Sequence, residues 1–347
     1  MEFFKWVDRV IGQQKVIDFP REGMEYLESN EPPTDSPYYS FHKSLVQFIK
    51  KLLPTQYDIK VRQHIIDELC QKIKDILGTM NQSLIVLPSG SCLNGTFLPE
   101  ADIDLVLFVY PNPCNPVEVM ELLMDQLGEF AIDNFQPIPQ AKVPVLKFVV
   151  KPGIQIDLTI DELRGPLNVN AVRKIFTSYP CLLPAQVFLK CLLHKYKLDQ
   201  PYIGGISSYT LQLMLLAYIQ HKGIPNNITE AIIGICKFYG SEFNFTLTGI
   251  DVKGNGRFFS RYQEDCLTLE SPTTMKILDP LNPNNTLGHN AFRMNQIRQE
   301  MHNVYNSIIE GKGEELLQTF DDVIKSFEEI QNNIKSYAEE NLETKPE

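Results

Sequence analysis

Asp102-Ile103-Asp104 opens an apolar run that continues through Val109. Side chains on a strand alternate faces, so both carboxylates would project from one side of a sheet. Two like charges held together are tolerable mainly when a divalent cation sits between them. Just upstream, the apolar stretch 84–87 runs into Ser89-Gly90-Ser91, and a second glycine follows at Gly95. Such a turn offers backbone N–H groups unobstructed by a side chain, which suits a phosphate. A third acid, Asp157, lies in 154–160, where Ile154, Ile156, Leu158 and Ile160 alternate onto one face. Asp157 points the other way, where a neighbouring strand could bring it beside the first pair. An isolated D-x-D is more often a solvated turn. Here the order of the parts carries the reading. A phosphate cradle with three converging acids is equipment for nucleotidyl transfer with two divalent cations, Mg²⁺ or Mn²⁺.

Periodicity supplies the elements that must position these groups. Residues 38–53 and 57–77 repeat apolar side chains at helical spacing, and the first run stops at Pro54. A helix is predicted over 116–130. Strands over 143–150 and 154–160 follow, turning at Lys151-Pro152-Gly153. Residues 57–160 thus read as an α/β unit carrying all three acids. Residues 161–334, with 37–56, read as chiefly helical, interrupted by a hairpin near 243–260 that turns at Gly254-Asn255-Gly256. Residues 1–36 read as an extension whose Phe3, Phe4, Trp6, Val7, Val10 and Ile11 could line one face of a short helix. The Glu- and Lys-rich residues 335–347 read as a disordered tail.

Composition excludes several classes. No stretch is long and apolar enough to span a membrane, no basic-apolar segment opens the chain, and an intracellular protein is expected. The seven cysteines include no C-x-x-C pair and read as reduced thiols, which argues against a disulfide frame or a zinc site. A net charge of −11 opposes non-specific affinity for a polyanion, so any grip on RNA must be local or supplied by a partner.

A second constellation lies downstream. A helix over 184–197 places Lys190, His194 and Lys197 on one stripe, a pattern that a solvated face also produces. Gly204-Gly205 precede Ser207-Ser208, which read as the cap of a helix running to about His221. The free N–H groups at such a terminus form another phosphate seat.

With Gly90-Ser91, Asp102 and Asp104, Gly204-Gly205-Ile206-Ser207-Ser208-Tyr209 and Asp279-Pro280-Leu281-Asn282-Pro283 to Gly288 in view, the chain resembles a known family. It is similar, over about residues 37–310, to the noncanonical poly(A) polymerases and terminal uridylyltransferases of the DNA polymerase β-like nucleotidyltransferase superfamily. The resemblance implies an α+β fold: a nucleotidyltransferase palm with a mixed β-sheet, inserted in a mainly helical central domain that carries a nucleotide-recognition loop at 279–288. It assigns Lys190 and Ser208 to the triphosphate and Tyr209 to stacking on the base, and His194 stands where many members carry a second lysine. Asn168 falls on the position that binds the ribose 2′-OH, although an Asn in a Pro-Leu-Asn-Val turn is otherwise a capping residue. Asn285 stands where uridylate-specific members tend to carry His, which favours ATP, and His289 replaces the usual Arg.

The reading is a template-independent RNA 3′-terminal nucleotidyltransferase adding AMP, with Asp102, Asp104 and Asp157 as catalytic and metal-ligating residues. Its substrates would be ATP and a single-stranded RNA 3′ end, delivered by a separate RNA-binding partner, with no membrane involved. A uridylyltransferase using UTP and an inactive binding scaffold are the alternatives. Nucleus and cytoplasm are both compatible with the sequence.

Overall fold

The computed structural model describes residues 14–78, 83–110, 115–141, 143–161, 164–264, 274–282 and 284–342. The apolar stripe expected at Phe3 to Ile11 lies outside the described residues. Among the described residues the fold is α+β with two mixed sheets, distributed over two units. One unit takes residues up to Phe19, Pro54–Arg173 and residues from Ser326; the other takes Pro20–Leu53 and Lys174–Lys325.

The first unit is built on a five-stranded sheet in the order β1-β2-β5-β4-β3: β1 (Ser83–Ser89), β2 (Ile103–Tyr110), β3 (Gln136–Ile138), β4 (Val145–Val150) and β5 (Ile154–Ile160). The β2–β5 pair is parallel and the others antiparallel. Ile154, Ile156, Leu158 and Ile160 are all buried, as their alternation requires. With Leu105, Leu107, Leu146 and Phe148 they share one core with Ile65, Leu69 and Ile73 of helix Gln56–Gly78 and Leu123 of helix Pro116–Gln126. The latter helix stops short of the expected Phe130, because the chain turns at Leu127 to place Ala131 beside Val150. The edge strand β3 was not legible, since all three of its residues are exposed.

The expected disordered tail is corrected over its described part. Helix Asp321–Asn341 runs through it, burying Ile334 and Ala338 in the core of the first unit. Phe327, Ile334 and Ala338 continue a helical stripe that the Glu- and Lys-rich composition obscures.

The second unit packs helices Tyr39–Leu52, Leu182–Lys195, Ser208–Lys222, Ile228–Lys237 and Met294–Ile309. Helix Leu182–Lys195 is buried along almost its whole length, from Leu182 to Leu189 and again at Cys191 to Leu193. Besides the expected hairpin of β6 (Thr248–Asp251) and β7 (Arg257–Ser260), two short strands complete a second sheet, β8 (Ile277–Leu278) and β9 (Thr286–Leu287). Two-residue strands carry no readable alternation.

Candidate active site

Strand register assembles the acidic group. In the parallel β2–β5 pair Asp104 stands opposite Asp157, and in the β1–β2 pair it stands opposite Ser89. Asp102 lies just ahead of β2, and Asp102, Asp104 and Asp157 each place a carboxylate oxygen within 4.8 Å of the others. All three are half-buried. The turn expected to cradle phosphate begins at the end of β1. Gly90 has φ +75°, and a Cβ there would lie 1.8 Å from Asp104 Oδ2. Only glycine therefore lets the Asp104 carboxylate pack against this backbone. Ser91 follows as the first residue of a short 3₁₀ turn, whose Leu93 carbonyl accepts a 2.7 Å hydrogen bond from Arg173 Nε.

Lys147 and Gln155 are further site residues. Gln155 Nε2 donates to Asp157 Oδ1 at 2.8 Å, and the Lys147 ammonium pairs with Asp157 Oδ2. Lys147 stands opposite Asp157 in the β4–β5 ladder. That pairing was available by counting outward from the Lys151-Pro152-Gly153 turn, although no chemistry in the sequence pointed to Lys147. Three carboxylates converging at half-buried positions suit a hard divalent ion with oxygen ligands. They could hold a metal. Asn168 sits in helix Arg164–Ser178, half-buried, and not in the turn that its Pro-Leu-Asn-Val context suggests. Pro166 is compatible with helix there because the first-turn N–H groups have no intrahelical acceptor.

Lys190, His194, Ser208, Tyr209 and Asn285 belong to the second unit. Lys190 and His194 lie one turn apart on helix Leu182–Lys195, both half-buried, with His194 Nδ1 3.3 Å from Asp199 Oδ2. Lys197 falls beyond the end of that helix, at φ +54°, so the expected three-residue stripe ends at His194. Ser207 caps helix Ser208–Lys222 by accepting from Thr210 N at 3.1 Å, leaving Ser208 as its first residue. Gly205 is required in the approach, since a Cβ there would lie 2.2 Å from the Leu198 carbonyl oxygen.

The 279–288 loop is the tip of the β8–β9 hairpin, organised by a side chain whose role the sequence did not disclose. Asp279 is buried, and its carboxylate accepts from Tyr209 Oη at 3.3 Å, Leu281 N at 3.0 Å and Asn285 Nδ2 at 2.9 Å. The side-chain amide of Asn285, expected to face the base, thus donates one N–H to this carboxylate. Burial, reinforced by the Asp279 charge, raises the Tyr209 phenol above its ordinary value, so its hydroxyl keeps its proton at a pH where a solvated tyrosine would lose it.

A family model described as "Poly(A) RNA polymerase, mitochondrial-like, central palm domain" matches residues 41–173, and one described as "Cid1 family poly A polymerase" matches residues 227–285. The chain is 22% identical over 323 residues to poly(A) RNA polymerase cid14 of Schizosaccharomyces pombe, covering 87% of this chain and 47% of that protein. It is 26% identical over 264 residues to the inactive noncanonical poly(A) RNA polymerase protein Trf4-2 of Drosophila melanogaster, covering 72% and 64%. The chain spans less than two thirds of the length of either relative. Its fold is similar to the polymerase core of TRAMP, an RNA surveillance complex, with a TM-score of 0.68 and 18% identity over 95% of this chain and 99% of that one. It is also similar to the Cid1 poly(U) polymerase, with a TM-score of 0.63 and 16% identity over 79% and 94%.

Proposed function

We propose that the chain, which belongs to the family of noncanonical poly(A) polymerases and terminal uridylyltransferases, adds AMP from ATP to RNA 3′ ends without a template. The observation that supports this most directly is the register pairing of Asp104 with Asp157, which gathers three carboxylates beside the Gly90 turn. In this reading the RNA 3′-hydroxyl attacks the α-phosphorus of ATP in line, and pyrophosphate leaves. Asp102 and Asp104 would hold two divalent ions and Asp157 the one nearer the hydroxyl. Bound Mg²⁺ or Mn²⁺ supplies a lowered hydroxyl pKa and charge neutralisation on the triphosphate. Gly90 keeps the approach to the acids open, and the Ser91 turn presents backbone donors to phosphate.

By the same resemblance, Lys190, His194 and the N-terminus of helix Ser208–Lys222 serve the triphosphate, Tyr209 the base and Asn168 the ribose. Asn285 supports ATP over UTP, because imidazole, a good partner for the uracil edge, is missing from that position. The uridylyltransferase reading stands on the similarity to a poly(U) polymerase, and the scaffold reading on the relative named as inactive. Intact acids weigh against the latter.

Extension of a labelled oligo(A) primer with each of the four NTPs and Mg²⁺ separates all three readings. The expected result is Mg²⁺-dependent extension, most efficient with ATP. Preference for UTP would replace the first reading with the second, and no extension with any NTP would leave the scaffold.

Acidity bears on the RNA substrate. With a net charge of −11 the long-range field repels RNA, so the isolated chain should bind it weakly and with salt sensitivity. A separate basic or zinc-knuckle partner would deliver the RNA. Affinity for single-stranded RNA at or below roughly 10⁻⁸ M near physiological salt, the range of dedicated nucleic-acid modules, would remove the need for that partner. Among the described residues no helix is long and apolar enough to cross a membrane. An intracellular location in nucleus or cytoplasm belongs to the same proposal.

A further inference from the structure

Asp104 and Asp157 are fixed by the strand ladder, but Asp102 precedes it: the β2–β5 pairing begins at Ile103. Besides a 3.6 Å contact from Cys92 Sγ to its carbonyl, its backbone follows directly from a turn, Leu98 to Ala101, closed by a 2.9 Å bond from Ala101 N to the Leu98 carbonyl. A fully buried arginine grips that turn from below. Arg62 Nη2 donates to the carbonyl oxygens of Pro99 at 2.7 Å and Ala101 at 3.1 Å. The Ala101 carbonyl belongs to the peptide that carries the Asp102 nitrogen, so holding it holds the plane from which Asp102 departs. The guanidinium carbon lies 4.9 Å from the centroid of the buried Phe97 ring.

The charge is balanced within helix Gln56–Gly78. Arg62 Nη1 lies 3.3 Å from Asp58 Oδ1, with both side chains at 0% exposure. Asp58 is itself fixed by Thr55, whose N and Oγ1 donate to Oδ2 at 2.8 and 2.6 Å. Gln331 Nε2 of helix Asp321–Asn341 reaches the same oxygen at 3.4 Å. A buried ion pair is weak evidence of stabilisation, since desolvation offsets the attraction and apolar residues often serve as well. Apolar replacements could not hold two carbonyl oxygens.

We propose that Arg62 is a positioning residue for Asp102: it sets the Pro99–Ala101 turn so that the third carboxylate meets the two that the strands hold. The proposal rests on the metal-dependent reading of the acidic group. Arg62→Lys keeps the charge, but a single ammonium cannot serve both carbonyls, pair with Asp58 through a second nitrogen and lie flat on the ring at once. In the purified full chain, Mn²⁺ binding with a non-hydrolysable ATP analogue is followed by electron paramagnetic resonance, with Asp102→Ala as the control that loses affinity. Arg62→Lys is expected to weaken Mn²⁺ about tenfold, the low end for groups that orient metal ligands. It should raise the half-saturating Mg²⁺ for tailing in parallel, with activity recovering at high Mg²⁺. A merely structural lesion would lower the active fraction equally at every Mg²⁺ concentration.

Phe97→Leu, which removes the ring beneath the guanidinium, should shift Mn²⁺ affinity in the same direction by a smaller factor. It decides the matter if Arg62→Lys does not fold. Unchanged Mn²⁺ affinity in folded Arg62→Lys, or in Phe97→Leu should the first variant be lost, overturns the proposal. So does a wild-type chain that binds no Mn²⁺. Failure of the enzymatic reading looks different: Mn²⁺ binds and depends on Asp102, yet no nucleotide is transferred.

Discussion

The two units hold their candidate site residues by different means. In the first, Asp104 and Asp157 face each other because backbone ladders put them in register, and Ser89 meets Asp104 for the same reason. In the second, Tyr209 and Asn285, seventy-six positions apart in the sequence, are tied by side-chain hydrogen bonds to the Asp279 carboxylate. A ladder repeats every two residues and is indifferent to side-chain identity; a carboxylate hub depends on one residue. The ladder pairing of Asp104 with Asp157 should therefore tolerate most changes other than to those acids or to Gly90. The second arrangement should respond to a single buried oxygen.

The largest effect tests the acidic group that the ladder helps to assemble. Replacing Asp102 and Asp104 together with Ala should cut primer extension by roughly four orders of magnitude, several kcal/mol of lost electrostatic stabilisation. The melting temperature should change little, because the substitution also relieves repulsion between half-buried carboxylates. Appreciable extension by the purified double variant would sink the assignment of the acids.

Gly90→Ala probes the same ladder through its turn. The new methyl would enter the space of Asp104 Oδ2 at a residue with φ +75°, and the backbone strain alone should cost about 1–3 kcal/mol. Displacing Asp104 by an ångström should lower kcat about a hundredfold. Wild-type kcat in this variant would mean that the carboxylate can leave the glycine without consequence.

Asp279→Asn sharpens the contrast by weakening the hub while nearly preserving its shape. One charge-assisted acceptor is lost beneath Tyr209 and Asn285, so KM for the nucleotide should rise by roughly thirtyfold, about 2 kcal/mol. Removing the Asp279 charge should also lower the Tyr209 phenol pKa, while burial continues to hold it above the ordinary value. Ultraviolet difference titration follows that shift. An unmoved KM would show that the loop is set by the β8–β9 pairing alone.

The smallest expected effect is on base choice. Asn285→His should move selectivity from ATP toward UTP by about tenfold, the lower part of what one pocket contact discriminates. Competition between the two nucleotides on one primer measures it. No change would indicate that position 285 braces the loop and does not read the base.

The sequence by itself determined the parts governed by local repetition. The i, i+2 spacing of Asp102 and Asp104, the alternation around Asp157 and the helical stripes of 38–53 and 57–77 were legible because their periods follow from backbone geometry. The glycine turn was legible because few residues adopt its conformation. Tertiary structure alone decided which charged groups were withdrawn from water. Asp58 and Arg62 fall on the apolar stripe of their helix, and nothing local says which carbonyls Arg62 will meet. Asp279 joins groups brought near only by chain folding, and the Glu- and Lys-rich end becomes helix because Ile334 and Ala338 find a core to enter. Burial and long-range hydrogen bonding depend on what arrives from elsewhere in the chain, and that information has no period.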